Sequence, residues 1–408
     1  MRSRLEKLIY NNSFICALVF IPFVEPLYFT QIVWLDTIFL YWKLISFVLL
    51  IGSWVLKGMA DKVYIGLLLF LLLDCVVTTV NNGNTSQMYI NAITLFSMAI
   101  MFGSAAKDGS YKFLKVATNV LGILIIANFV TIIIFPEGMY NFTSVNHHYL
   151  LGSRNVMMRT IFPGVCLSII RSKIVMNKLG IRTITIMIIA GLSLVMVWSA
   201  TALAAYVMFC ALLLLFRVFD APKWFTVKSC YILAVSVFIF IVVFQFQNLF
   251  SFVIVDVLKK DLTFTGRTLL WSAGISNIMM SPFVGYGLEN LQTIAPKLYK
   301  LTAYDSCHNL FLDVLYQNGL VGFMLLSILF ASLKRKIDCQ ISQNYRTIFT
   351  LFVFAYSIMI NFEPFINGDM RLFVSMLFYL NYFNEDAMSN NTFNLHRKVF
   401  KLGRIIIE

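Results

Sequence analysis

The chain has 408 residues, 60% of them hydrophobic and only 12% charged, with a formal net charge of +13. Soluble domains carry about 25% charged residues, so this composition excludes an ordinary water-soluble globule. The basic residues stand in short groups between apolar runs, a pattern of membrane topology, and no nucleic-acid partner is expected.

Apolar stretches recur from Phe14 to Phe383. Crossing a hydrocarbon core takes about 20 apolar residues in helical form, and the alternating segments of a transmembrane barrel are absent. The runs predict spans at 12–31, 36–56, 63–80, 88–104, 113–135, 156–171, 182–198, 201–219, 229–247, 309–333, 346–362 and 370–384. The expected fold is an all-α polytopic membrane protein of about twelve transmembrane helices. The first segment does not read as a cleavable signal peptide, because Glu25-Pro26 interrupts it and no small-residue cleavage site follows.

With a cytoplasmic N-terminus, 23 of the 32 basic residues fall in cytoplasmic segments and each such segment holds at least two. The bias predicts a multi-pass protein with both termini in the cytoplasm. Spans one to nine occupy residues 1–245, a long outer loop subdomain 246–308, and spans ten to twelve with a cytoplasmic tail 309–408. That loop is rich in Leu, Ile, Phe and Trp, which disfavours disorder. Nine basic residues break the rule: Lys43, Arg154, Arg159, Lys259, Lys260, Arg267, Lys297, Lys300 and Arg371. Each needs a reason other than topology.

The polar residues with chemical potential begin with Glu25 and Asp74, intramembrane acids that suit either proton sites or pairing within the bundle. Arg159 enters span six, where an unpaired cation costs about 2.5–3.5 kcal/mol at the centre, so it needs a partner, a cavity or an anion. His147 and His148 are adjacent but lack a third ligand, and the seven cysteines show no CxxC spacing and sit mostly in apolar runs. A metal site, a zinc site and a disulfide framework are therefore not expected. Ser199 and Thr201 stand at a tight turn as helix caps.

Within the long loop, Thr265 is a plausible N-cap, and Leu270, Trp271, Gly274, Ile275, Ile278 and Met279 form an apolar stripe of helical period. Ser281-Pro282 ends this helix and Gly285-Tyr286-Gly287 makes a flexible turn. Arg267 in its first turn, beside free backbone N–H groups, suits an anion such as phosphate; a solvated helix-end Arg is the competing reading. Asp305 or Ser306 can cap span ten, with His308 in the first turn and Asn309, Asp313 and Gln317 on one stripe below. A rim histidine can accept a proton near neutral pH, or simply bond loop backbone. Glu363-Pro364 and Asp369-Met370-Arg371 form the last outer turn, with Arg371 paired to Asp369 or joined to the other arginines. Outward arginines suit a lipid diphosphate, which points to group transfer from such a donor to an acceptor hydroxyl.

The stretch Thr265-Gly266-Arg267 with Trp271, then Ser281-Pro282-Phe283-Val284-Gly285-Tyr286-Gly287-Leu288-Glu289-Asn290, His308-Asn309-Leu310-Phe311-Leu312 and Gln317-Asn318-Gly319-Leu320-Val321-Gly322, resembles the O-antigen ligase and polymerase superfamily of bacterial envelope glycan assembly. The resemblance covers roughly residues 265–322; elsewhere only the span count and Ser153-Arg154-Asn155 match. It implies a metal-independent GT-C-like fold without cofactor, in the bacterial inner membrane, acting on an undecaprenyl-diphosphate-linked oligosaccharide. Membrane lipids and a chain-length regulator protein are the other partners expected. Arg267 then holds diphosphate and His308 acts as base, with either Arg154 or Arg159 as second arginine. Arg154, Arg159, Arg371, Asn309 and Asp313 are the candidate substrate-binding residues.

Three activities share these features. A polymerase joins one lipid-linked repeat to another and is favoured by the weak match outside residues 265–322. A ligase moves the finished chain to a lipid or core acceptor. A lipid-linked oligosaccharide flippase would show broken helices or repeated halves and has no need of a 63-residue outer subdomain.

Overall fold

The computed structural model describes residues 4–58, 61–141, 147–244, 267–299, 306–340, 342–363 and 370–388. Among them the chain runs through α1 (Arg4–Asn11), α2 (Ser13–Phe20), α3 (Val33–Lys57), α4 (Lys62–Val80), α5 (Thr85–Lys107) and α6 (Tyr111–Ile134). It continues through α7 (Met158–Met176), α8 (Ile181–Met196), α9 (Ala200–Val218), α10 (Val227–Val237), α11 (Arg267–Met280), α12 (Leu291–Tyr299), α13 (Leu310–Gln340), α14 (Gln343–Met359) and α15 (Arg371–Asn381). The helices start where the sequence supplies caps. Asn12, Asp61, Asn84 and Ser110 each accept from backbone N–H groups of the first turn, and Thr226 with Ser229 closes a reciprocal box on α10.

Six described helices are long and apolar enough to cross a membrane: α3, α4, α5, α6, α9 and the Leu310–Leu333 part of α13. Their outward faces carry large apolar side chains such as Val33 (81% exposed), Ile45, Val48, Leu214 and Val218. Contiguous apolar belts of that kind need lipid around them. The fold is an all-α polytopic membrane protein. Its core packs α15 against α5, α13 against α4, α6 against α7 and α14 against α9.

The segment predicted as the first span is not one helix. Pro22 and Pro26 remove backbone donors, and after Phe20 the chain makes two tight three-residue-per-turn helices, Ile21–Val24 and Leu27–Gln31. A small antiparallel sheet that periodicity did not reveal joins Tyr140–Asn141, His147–Tyr149 and Gly152–Ser153. Strands of two or three residues leave no alternation to read.

The predicted loop helix is α11, ending at Met280 as expected; its Thr265 cap lies outside the described residues. Leu270, Trp271, Gly274 and Ile278 are buried, whereas Met279 is exposed and does not belong to the packed face. With Ile294, Leu298, Cys307, Leu312 and Tyr316, α11 builds a second hydrophobic cluster, apart from the main core. Glu289 locks it, accepting from Lys297 Nζ and from the Tyr316 hydroxyl, each at 2.6 Å.

α13 is broken at Gly319, where φ is 60° and ψ −163°. The backbone groups released there are taken by the irregular 282–288 segment. Tyr286 and Gly287 donate to the Tyr316 and Gln317 carbonyls (2.9 and 2.8 Å), and Leu320 and Val321 donate to the Pro282 and Phe283 carbonyls (2.8 and 3.1 Å). Irregular backbone at membrane depth survives only with such pairing. Glycine is required by contact as well as by φ, because a Cβ on Gly319 would lie 2.2 Å from the Phe283 carbonyl carbon and one on Gly285 2.4 Å from the Tyr316 oxygen. Asn318, freed by the break, donates to Asp74 on α4 at 2.8 Å.

Gly319→Val is expected to destabilise the fold by about 3 kcal/mol or more through backbone strain and overlap. Gly66→Ala, whose Cβ would meet Leu329 at an ordinary 3.7 Å, should be nearly neutral. Thermal unfolding of both variants in the same detergent checks this; equal midpoints would contradict the account of the break.

Candidate functional site

The starts of α7, α9, α11 and α13 converge with the end of α14. Asn309 is the capping residue of α13: its Oδ1 accepts from Phe311 and Leu312 N–H at 3.0 and 3.1 Å, and its Nδ2 donates to the Asn361 carbonyl at 3.1 Å. Leu310 N–H donates to the Ile360 carbonyl at 2.8 Å. Asn361 in turn donates to the Ser357 and Ala234 carbonyls, which ties α14 to α10. These bonds clamp the first turn of α13 to the last of α14, so His308 and Glu363 become neighbours across the clamp.

Glu363 is buried, with a side chain 6% exposed. A buried carboxylate is tolerable only when paired and hydrogen-bonded, and this one is. Its Oε1 accepts from Arg267 Nη2 and from Asn155 Nδ2, both at 2.8 Å. Asn155 Oδ1 accepts from the Ser199 hydroxyl at 2.7 Å. Glu363 Oε2 lies 4.0 Å from His308 Nδ1, outside direct hydrogen-bond range. Ser199 therefore sits at the cap position of α9, but its hydroxyl serves Asn155 rather than the helix.

His308 has φ of 50°, a left-handed conformation uncommon for a side-chain-bearing residue, though His is among those enriched there. Burial, then the fields of Arg267 and Arg159, hold its imidazole well below the ordinary histidine range, at about 3. The ring is neutral at neutral pH and able to accept a proton. An anion lying against the two guanidinium groups would offset their fields and raise the basicity of the ring.

Of the residues expected from the sequence, Arg267, His308 and Arg159 come together electrostatically. Arg154 is exposed beside the small sheet and makes no ion pair among the described residues. Arg371 opens α15 and stands in the field of Glu25, whose carboxylate accepts from Lys43 at 2.6 Å in a buried pair. Asp369, Asp305, Lys259, Lys260 and Lys300 lie outside the described residues.

Asn309 and Asp313, expected as substrate contacts, make hydrogen bonds within the 307–312 turn. Both are buried, and Asp313 Oδ1 accepts from Cys307 N–H at 2.6 Å. Their polar groups are drawn into the 307–312 turn because a helix start inside the bundle must satisfy its own N–H groups. Asn309 thus caps α13, and the Asp305 alternative lies outside the described residues. His147 Nδ1 lies 2.6 Å from the Glu137 carbonyl and His148 packs on the Tyr140 ring, so both shape the small sheet.

Sequence reasoning missed Glu363, Asn155 and Ser199 as one group. The available signal was that the intruding arginines needed a carboxylate, and Glu363 stood in the last outer turn without a role.

Carbon-13 histidine NMR gives a direct check. In the wild-type protein the His308 ring is expected to remain neutral from pH 8 down to about pH 5, and Arg267→Gln to move its midpoint upward. The sign also sets stability: a folded value below the unfolded one means the unfolded chain binds more protons, so this contribution is lost as pH falls from about 6.5 towards 3. A wild-type midpoint near 6.5 would contradict the geometry.

Comparison with known proteins adds two findings. A family model described as O-Antigen ligase matches residues 184–327, a stretch that holds Arg267, the 282–288 segment, His308 and Gly319 but not Asn155, Arg159 or Glu363. The exopolysaccharide production protein ExoQ of Rhizobium meliloti (strain 1021) is 33% identical over 93 residues, covering 19% of this chain and 21% of that protein. The chain therefore spans about a fifth of the curated relative it matches. Each match covers less than half of this chain, and both are likenesses to part of it only.

Proposed function

We propose that the protein is a polysaccharide polymerase that transfers glycan from an undecaprenyl-diphosphate-linked donor to a hydroxyl of another lipid-linked repeat, at the outer face of a bacterial inner membrane. The observation that carries this reading is His308 at the start of α13, its Nδ1 4.0 Å from the Glu363 carboxylate that also holds Arg267 at 2.8 Å, with burial and the Arg267 and Arg159 charges keeping its ring well below the ordinary histidine range. The acceptor oxygen attacks the anomeric carbon, the bond from that carbon to the diphosphate oxygen breaks, and the hydroxyl proton passes to His308. The lipid diphosphate leaves with the bonding electron pair, its charge held by the arginines. The charge bias that assigns the site to the outer face also makes both termini cytoplasmic. No metal or cofactor is assigned a step, and a chain-length regulator is a natural partner for a polymerase.

ExoQ is named for exopolysaccharide production, which suits a polymer-building role. The family description, O-Antigen ligase, carries the second reading, transfer of a finished chain to a lipid or core acceptor.

Deletion of the gene and analysis of surface glycan length separate these readings. Loss of long chains with single repeats still on the acceptor is the expected result. Accumulated lipid-linked long chains would establish the ligase, and repeats trapped on the inner leaflet a flippase. Complementation with His308→Ala is expected to cut polymerisation about 100-fold or more, as for a lost general base. Arg267→Ala should do the same, and Arg267→Lys should restore only part, because a point charge does not replace the guanidinium fork. Near-normal chain length in both alanine variants, at wild-type membrane levels, would overturn the site assignment.

A further inference from the structure

α7 has chemistry at both ends. Its start carries Arg159; its other end, with the starts of α6 and α8, encloses an open cleft of about 580 Å³. Six of the residues lining it are Thr118, Ser168, Arg171, Ser172, Arg182 and Thr183, and its lining contains no Asp or Glu. Arg171 Nη1 donates to Thr118 Oγ1 and Asn119 Oδ1, each at 3.0 Å, both neutral acceptors. Arg182 stands close enough to feel the Arg171 charge. Neither arginine has an ion pair among the described residues.

Two like charges in one cleft without a counter-charge are unfavourable, and elsewhere this protein pairs its intruding cations: Lys43 with Glu25, Arg267 with Glu363, Lys297 with Glu289. A second observation points into the same cleft. Ser168 is 4% exposed and its Oγ has no hydrogen-bond partner. The neighbouring hydroxyls are committed: Ser172 to the Lys178 carbonyl and Gly180 N–H, Thr183 to the Ser168 carbonyl. A buried orphan hydroxyl beside two forked cations lacks one thing, an anionic acceptor with several oxygens.

We infer that this cleft is a phosphate-binding site, formed by Arg171, Arg182 and Ser168 at the end of α7 remote from His308. Phosphate matches two guanidinium forks and a hydroxyl better than a carboxylate does, because it offers more acceptor oxygens. The ligand is the headgroup of an anionic membrane lipid or a free phosphate; basic clefts between membrane helices on the side rich in Lys and Arg take such headgroups. The inference is independent of the glycan chemistry.

The test uses the full-length protein in nanodiscs and in mild detergent. Native mass spectrometry compares retention of phosphatidylglycerol with that of phosphatidylcholine, and thermal shift compares inorganic phosphate with chloride at matched ionic strength. The wild type is expected to prefer phosphatidylglycerol, or to be stabilised by phosphate, at about tenfold lower concentration than the control ligand. Arg171→Gln with Arg182→Gln should abolish that preference, while the Arg-to-Lys pair keeps part of it. Ser168→Ala should weaken it about tenfold, as for loss of one hydrogen bond to a charged group, and serves if the double variant does not fold. Lipid retention alone identifies a headgroup; phosphate stabilisation alone identifies a free anion; either supports the site. Equal behaviour of test and control ligands, or unchanged preference in both the Gln and the Ser168→Ala proteins, overturns it.

Discussion

The Glu363 carboxylate is the constraint on which the arrangement of the polar end depends. Sequestered from water, it must be balanced, and it is balanced by groups from distant parts of the chain: Arg267 from the start of α11 and Asn155 from the turn before α7. Ser199 fixes Asn155 in turn. Removing one member of such a group costs more than the bond it made, because the remaining charge stays buried without compensation. The same carboxylate fixes the direction of the Arg267 guanidinium, which donates to it at 2.8 Å.

A second constraint works at the level of the backbone. The break in α13 at Gly319 releases peptide groups where lipid cannot satisfy them, and the 282–288 segment takes them up. The glycine-rich pieces that carry the family resemblance act here as a clasp. They hold the hydrophobic cluster of α11 and α12 against the bundle, and with it the Arg267 end of α11. Chemistry and scaffold are thereby linked: Trp271 and Leu270 bury the face of the helix whose first residue reaches Glu363.

Much of this was legible in the chain itself. Long apolar runs and the scarcity of charge made a helical membrane protein the only consistent architecture, and the span expected at 63–80 matches α4 (Lys62–Val80) to within one residue. The out-of-place basic residues were a sound guide, since Lys43, Arg267 and Lys297 all proved to have buried acidic partners. What could not be read was which acid belonged to which base, because Arg267 and Glu363 are separated by 96 positions. The polar stripe of Asn309 and Asp313 was visible, but a stripe does not say whether it faces substrate or supports a turn. Pro22 and Pro26 were also visible; hydropathy alone ran the first span through them.

Glu363 and Arg267 act as one buried unit that holds the start of α11 to the end of α14. A double-mutant cycle on unfolding, with Arg267→Gln, Glu363→Gln and the pair combined, measures that claim most directly. The account predicts that each single variant lowers stability and that the double variant is little worse than either, a coupling of about 1–3 kcal/mol. Strictly additive losses would contradict it.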